Sequence, residues 1–471
     1  MFFSVYTLGC KLNQLETEAI TDSFCREGFS FIPWERSSDE PAIMLINTCT
    51  VTSMAEQKAR RLIRKAIRDH AQACFIVTGC YAQMDEAALA DLGEGASGRF
   101  FVIPGEKKDR LLDLPHFLSQ TELLGSGNLP EQIAYWFGFQ DEEISEDSSF
   151  RFRPANFASH SRAFLKIQDG CDRSCAYCRV NLARGKSRSI GAKEALEELL
   201  SLEKRGFAEA VLTGVNISQY RDSHMDFSGL LEFLLNETST IRLRLSSIEP
   251  EWPDWESGRI IRAFMNKRIR PHFHLSLQSG SAKILEKMGR PYTPESSGRA
   301  VALLREARED PFLACDIIAG FPGEDAYEFE KTREFCEKTG FAWIHAFPFS
   351  PRPGTAAYNF PDKASERDTD ERVSILSEIS RKGRREYIAR WEGKEVETII
   401  EAGGNLPKPY LPAVSENYLK LCVNCAGGPL PAPGSLVKCR IIGPCALSKV
   451  ENAGKFDALA EKADTAKGLL A

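Results

Sequence analysis

Cys171, Cys175 and Cys178 lie within eight residues of one another, and this spacing is the chain's strongest chemical signal. Thiolates are soft ligands, and gaps of three and two residues let one short loop wrap a corner of an iron–sulfur cube. A four-iron cluster normally takes four thiolates, so three leave one iron open to an outside ligand. S-adenosylmethionine (SAM) fits such an iron through its amino and carboxylate groups. The same offsets would also set the three cysteines on one face of a helix. Asp169, Gly170, Asp172 and Ser174 are turn formers, however, and favour a loop.

A second set is dispersed. Cys10, Cys49 and Cys80 each follow an apolar run, after Thr7-Leu-Gly, Ile46-Asn-Thr and Val77-Thr-Gly. Those runs, Phe2 to Leu8, Pro41 to Asn47 and Cys74 to Thr78, alternate with amphipathic segments, and Phe100 to Ile103 adds a fourth. This pattern predicts a parallel α/β sheet. Ligands gather outside the carboxyl ends of such strands, so the three thiols are expected to meet at one point. One cysteine at a strand end would be ordinary core packing. Three at equivalent places predict a second cluster, again with one iron lacking a protein ligand.

The elements that position these groups divide the chain into residues 1–125, a polar acidic connector 126–160, a second α/β unit 161–385, a small β-barrel 386–450 and a tail 451–471. In the second unit, strands near Phe164 to Gln168, Ala210 to Thr213, Arg242 to Ser246, His272 to Leu277, Leu313 to Ile318 and Trp343 to Phe347 alternate with helices such as Ala192 to Arg205 and Ala326 to Gly340. Six such repeats predict a partial (β/α) barrel with its working groups at the strand ends. The polar stretches Thr213 to Asn216, Ser247 to Pro250, Gln278 to Ser281 and Gly320 to Gly323 fall there. Gly214, Asn216, Glu249 and Gln278 are therefore candidate SAM contacts, each of which could equally be structural. After residue 392, β-branched runs at Glu395 to Ile400, Tyr418 to Val423 and Ser435 to Ile442 predict antiparallel strands. The Ala, Lys and Glu-rich tail is expected to be a frayed helix or disordered.

The 471 residues carry a formal charge of −6, so RNA would have to be held by local patches. Lys58 to Arg68 is one candidate and Arg381 to Arg385 another. No apolar run reaches the ~18 residues of a membrane span, and the opening residues lack a signal-peptide pattern. A cytoplasmic protein is expected, with its fourteen cysteines reduced. Cys422, Cys425, Cys439 and Cys445 have paired spacing suggestive of zinc, yet an interval of three on a strand points the first two to opposite faces. Cys25, Cys74, Cys315 and Cys336 read as packed small hydrophobes.

With Tyr177 before its last cysteine, the 171–178 loop resembles the signature of radical SAM enzymes. Both triplets together resemble the methylthiotransferase family of that superfamily. The stretches Thr7 to Glu18, Asn47 to Thr52 and Phe347 to Thr355 are most similar to its threonylcarbamoyladenosine-modifying branch. The resemblance implies a methylthiotransferase domain, a radical SAM barrel and a C-terminal TRAM domain of the OB-like type. It also implies two [4Fe–4S] clusters and SAM as cofactors, with Tyr177 among the cofactor-binding residues. Partners would be the tRNA anticodon stem-loop, an electron donor such as flavodoxin or ferredoxin, and a sulfur source. In the implied reaction a SAM-derived radical takes hydrogen from C-2 of the modified adenine, and sulfur held at the second cluster is methylated and transferred there. Both clusters would then face one cavity. Arg352, in a strand-end loop, is a candidate for the substrate carboxylate. The run Cys178-Arg-Val-Asn181 departs from the family's more usual Ile-Ile-Pro and is expected to alter packing only. Isopentenyl-adenosine or a ribosomal-protein aspartate is an alternative target, and a noncatalytic iron–sulfur carrier is an alternative of another class.

Overall fold

The computed structural model describes residues 1–34, 40–124, 128–138, 150–223, 225–251, 258–445, 450 and 452–463. The acidic centre of the expected connector, residues 141–149, lies outside them. The first strands are β1 (Phe2–Thr7), β2 (Ser30–Phe31), β3 (Ile43–Thr48), β4 (Cys74–Gly79) and β5 (Phe100–Val102). They form one parallel sheet in the order β2-β1-β3-β4-β5. Every residue of β3 and β4 is buried, as suits central strands covered on both faces. Helix α1 (Lys11–Arg26) follows β1, α2 (Ser53–Asp69) follows β3 and the short α3 (Cys80–Met84) follows β4. Thr52 caps α2 by accepting the Ala55 N–H. Along α2, Ala59, Ile63 and Ala66 face the sheet, and Lys58, Arg61, Arg64, Lys65 and Arg68 face water.

Part of the expected connector is structured. Leu129–Gly138 is a helix, and Ile133 and Phe152 are buried in the core of the first domain. The second unit has strands β6 (Ala163–Lys166), β7 (Glu209–Thr213), β8 (Arg242–Leu245), β9 (His272–Gln278), β10 (Phe312–Ala319) and β11 (Trp343–Pro348). Adjacent strands are parallel in that order. The bridges Leu243 to Ile269 and Ile248 to Leu275 link β8 to the β9 segment. Among the described residues β6 and β11 do not pair, so the barrel is open on one side. Alternation decides what points where. Leu212, Leu243, Leu245, Phe273, Leu275, Leu313 and Ile344 pack outward on the helices. Their neighbours Arg244, His272, His274, Ala314 and His345 are left for the interior. Helix α1 lies against β6 at the open side, where Leu15 packs on Phe164 and Val211.

Five strands then close a small barrel: β12 (Glu395–Ile400), β13 (Tyr410–Ser415), β14 (Lys420–Asn424), β15 (Leu436–Pro444) and β16 (Ala458–Lys462). The expected boundary at 450 is thereby corrected. β16 lies within the span read as a tail, yet it pairs with both β14 and β15. This barrel seals the floor of the open one. Glu209 receives Arg244 at 2.6 and 3.0 Å and Arg270 at 2.8 Å, while Arg270 and Arg242 reach Glu397 of β12 at 2.8 and 3.0 Å. Among the described residues no helix is long and apolar enough to cross a membrane.

Candidate functional site at the domain junction

Three loops from the carboxyl edge of the first sheet bring Cys10, Cys49 and Cys80 together, and two asparagines fasten them. Asn13 donates from Nδ2 to the carbonyls of Leu8 (2.8 Å) and Thr48 (3.0 Å), tying the first cysteine loop to the second. Asn47 donates back to the Asn13 carbonyl and to Thr17 Oγ1, both at 3.0 Å. Gly79 enters the third loop at φ +103°, where a Cβ would lie 2.3 Å from the Thr48 carbonyl oxygen. No other residue fits so close to a neighbouring backbone. Burial pushes the Cys49 thiol up to about 12, and the neighbouring Cys80 and Cys10 sulfurs push it the same way. Three thiols close enough to repel one another as anions are suited to sharing a cationic iron–sulfur core, which takes them as thiolates.

The second triplet is held within one loop. Gly170, at φ +69°, lets that loop pass the Lys186 carbonyl, which a Cβ would approach to 1.9 Å. Cys171 Sγ accepts the Arg173 N–H and Cys178 Sγ the Val180 N–H, each at 3.4 Å. Arg290 donates from Nη1 to Cys175 Sγ at 3.2 Å and from Nη2 to Glu249 at 2.8 Å. Donors aimed at sulfur suit a thiolate-bound cluster, whose potential depends on such bonds. Glu249 also accepts from Asn216 Nδ2 at 3.2 Å, and the Asn216 N–H bonds Gln168 Oε1 at 2.8 Å. Gly214 packs directly on Gln168, with a Cβ excluded at 2.9 Å. Gln278 has φ +69° at a break in the β9 register, a strained position of the kind found at ligand sites. Tyr177 packs edge-to-face on buried Phe321, with ring centroids 6.5 Å apart. Asn216 and Glu249 thus form one hydrogen-bonded chain running from Gln168 to Cys175.

Arg184 connects the two triplets. It leaves the helix Val180–Arg184 behind the 171–178 loop and bonds Asn13 Oδ1 at 2.8 Å, Glu16 at 2.9 Å and Asp169 at 3.0 Å. Lys108 and Lys166 complete the network, on Glu16 at 2.6 and 3.3 Å, with Lys166 also 2.5 Å from Asp169. Burial opposes charge at both Glu16 and Arg184. The surrounding opposite charges outweigh it, holding the Glu16 carboxyl well below the usual carboxylate range and the Arg184 guanidinium well above its own.

A cavity of about 650 Å³ opens between the domains. Cys10, Cys49 and Cys80 line one side. Gly214, Ser246 and the interior residues His272, His274 and His345 line the other, and Tyr418 of the small barrel forms its base. The lining includes Arg184 and Val180 but none of Cys171, Cys175 and Cys178, nor Asn216, Glu249 or Gln278. On the side of the 171–178 loop the lining is made by Val180 and Arg184, which follow Cys178 in the chain. The imidazoles of His274 and His345 stack 5.2 Å apart, and His274 Nε2 lies 3.0 Å from Asp316.

Other expectations need correction. Arg352 is 3% exposed and is bound to Glu56 and, at 3.1 Å, to Thr50 Oγ1. It is outside the cavity lining and already has its carboxylate. Arg179 reaches the same Glu56 at 3.4 Å, a second tie between the domains. Cys25 is exposed, whereas Cys74, Cys315 and Cys336 are buried. Cys422 packs with Cys445 outside the small-barrel core and Cys425 with Cys439 inside it. Among the described residues no group of three or more His, Cys, Asp or Glu side chains is placed to hold a single metal ion. The sequence reading also passed over Arg290 and Glu16.

Comparison with known proteins bears on this geometry. Residues 165–336 match the Radical SAM superfamily and residues 3–97 match Uncharacterized protein family UPF0004. The chain is 38% identical to the threonylcarbamoyladenosine tRNA methylthiotransferase MtaB of Treponema pallidum, covering 93% of this chain and 97% of that one. It is 32% identical to the MtaB of Bacillus subtilis, covering 93% of each. Among solved structures, the radical SAM methyltransferase TsrM of Kitasatospora setae aligns over 76% of this chain and 73% of its own, at 15% identity and a TM-score of 0.49. Relatedness over nearly the whole length places the chain in the radical SAM methylthiotransferase family, among the MtaB-type tRNA methylthiotransferases, as an enzyme that works with SAM and a [4Fe–4S] cluster.

Proposed function

We propose that this enzyme methylthiolates C-2 of threonylcarbamoyladenosine beside the tRNA anticodon, giving the 2-methylthio derivative. The observation that carries the reading is the cavity between Cys10, Cys49 and Cys80 on one wall and the barrel interior on the other, in a chain whose relatives bear that substrate in their names. Cys171, Cys175 and Cys178 hold the cluster at which SAM is bound. Tyr177, Gly214, Asn216, Glu249 and Gln278 surround SAM. Cys10, Cys49 and Cys80 hold a second [4Fe–4S] cluster. When bound, the clusters supply the electron for SAM cleavage and a site for sulfur. Arg290 and Glu249 keep Cys175 and the SAM shelf in register, and Arg184 fixes the distance between the triplets. A tRNA loop base can be unstacked into a pocket of this kind, with the small barrel adding affinity through phosphate contacts. An electron donor such as flavodoxin or ferredoxin and a sulfur source complete the partners, and the setting is the cytoplasm.

The test is to incubate reconstituted enzyme, SAM and reductant with tRNA bearing either threonylcarbamoyladenosine or isopentenyladenosine. Replacement of H by SCH3 on the former supports the reading. Modification of the isopentenyl form alone would move the enzyme to the branch of its more distant relatives, such as the tRNA-2-methylthio-N(6)-dimethylallyladenosine synthase of Koribacter versatilis, 28% identical over 88% of this chain.

A further inference from the structure

We propose that Lys11 is the residue that selects the substrate, by receiving the carboxylate of the threonylcarbamoyl group inside the cavity. The inference rests on the reading above and goes beyond it in naming the group that recognises the modification.

Charge accounting in the cavity lining leads there. Its one acid, Asp457, is matched by Arg384 at 2.9 Å. Arg184 is matched by Glu16 and Asp169. Lys420 and Lys455 are exposed at the rim, where phosphates and water reach them. Lys11 differs from all of these. It is partly buried, and among the described residues no carboxylate lies within ion-pair distance of its ammonium. The ammonium instead sits 5.9 Å from the centre of the Tyr418 ring, a ring that also faces Arg244 at 5.2 Å and stacks on His272 at 4.0 Å. Arg244 on that ring is already paired with Glu209, which acts on Lys11 only from beyond ion-pair distance, so the Lys11 ammonium is the cation at the ring left to take a ligand carboxylate.

Position agrees with charge. Lys11 is the first residue of α1, and Asn13 two residues on is bonded to both the Leu8 and the Thr48 carbonyls, so the lysine stem starts from a fixed point. Its Cα is about 3.8 Å from that of Cys10, the spacing of any trans peptide. In adenine, C-2 and the N6 substituent flank the same ring nitrogen. A base that offers C-2 to the Cys10, Cys49 and Cys80 wall therefore carries its N6 chain along that wall, within the sweep of a lysine side chain rooted beside Cys10. Arg352, the alternative cation, is engaged with Glu56 outside this lining.

Equilibrium binding of anticodon stem-loop RNAs to the full-length protein tests the assignment. The RNAs carry threonylcarbamoyladenosine, its carboxamide analogue or plain adenosine; the proteins are wild type, Lys11→Met and Lys11→Arg, matched for iron content and melting temperature. Wild type should prefer the carboxylate over the carboxamide by about tenfold, the scale of a charge-assisted contact. Lys11→Met should reduce that preference to about twofold or less, and Lys11→Arg should restore most of it. Discrimination by Lys11→Met equal to wild type would overturn the role of Lys11 and leave the substrate reading standing. Wild type that binds modified and plain adenosine alike would overturn the substrate reading itself. SAM also carries a carboxylate, so its binding is measured in parallel: a Lys11→Met variant that loses SAM affinity and keeps RNA discrimination would assign the ammonium to SAM instead.

Discussion

The two cysteine triplets present the same three thiols in opposite ways. Cys171, Cys175 and Cys178 sit in one loop whose shape depends on a glycine and on sulfur-directed N–H groups from the loop's own backbone. Cys10, Cys49 and Cys80 come from three loops 70 residues apart at the extremes, assembled by a sheet edge, two asparagines and a glycine. A local loop survives damage to the fold around it, whereas an assembled site reports on that fold. The contrast suits the division of labour proposed above, with SAM cleavage at the local triplet and sulfur transfer at the assembled one.

The sharpest break comes from removing each triplet in turn. Changing Cys171, Cys175 and Cys178 to Ala should abolish release of 5′-deoxyadenosine from SAM, measured by chromatography after reduction; residual cleavage at the wild-type rate would remove that loop from SAM chemistry.

Next come the glycines, which should separate the triplets by fold rather than by ligand. Gly79→Ala adds a Cβ where the Thr48 carbonyl leaves 2.3 Å, at φ +103°. A strained backbone of this kind costs about 1–3 kcal/mol, and the assembled site should lose iron while the local one keeps SAM cleavage. Gly170→Ala should do the reverse. Equal iron loss in both variants would mean that the two sites are not independent.

The buried network sharpens the comparison from between the triplets. Glu16→Gln leaves Arg184, Lys108 and Lys166 short of a countercharge, and breaking a buried pair costs about 3–5 kcal/mol. A lowered melting temperature with methylthiolation impaired more than SAM cleavage is expected. The pH dependence follows in sign. The folded Glu16 carboxyl lies below its unfolded value of about 4.3, so its contribution is complete above that pH and falls as the pH drops below it. Melting curves showing the Glu16 contribution lost on raising the pH from about 5 to about 8 would contradict this assignment.

The smallest effect concerns the two basic stretches. Arg381 and Arg385 share Glu378, at 2.5 and 3.8 Å, and Arg384 is spent on Asp457. Lys58, Arg61 and Lys65 are exposed along α2, which begins just after Cys49. Alanine at these three should weaken tRNA binding and lower the salt slope by about 2–3, more than alanine at Arg381 and Arg385 does. The opposite ranking in a salt titration would reverse the choice of RNA-facing surface.

What was legible in the sequence followed the same contrast. The loop triplet could be read from spacing alone, and the six-strand barrel from alternation. The assembled triad was visible because each cysteine ends an apolar strand. Arg290 and Arg184 were opaque because their partners Cys175 and Glu16 lie 115 and 168 residues away. Arg352 misled for the same reason, since its Glu56 is 296 residues distant. Strand β16 was missed because Ala-Leu-Ala-Glu-Lys reads as helix; pairing with β14 and β15 overrides that propensity.

The most direct measurement is anaerobic iron analysis, with Mössbauer spectra, of protein in which Cys10, Cys49 and Cys80 are all changed to Ala. Two separately held clusters predict that iron falls from about eight to about four per chain, that the remaining signal is a four-iron cluster, and that SAM cleavage continues without methylthiolated tRNA. Iron retained in full, or methylthiolated tRNA still formed, would contradict a second cluster on the assembled triad.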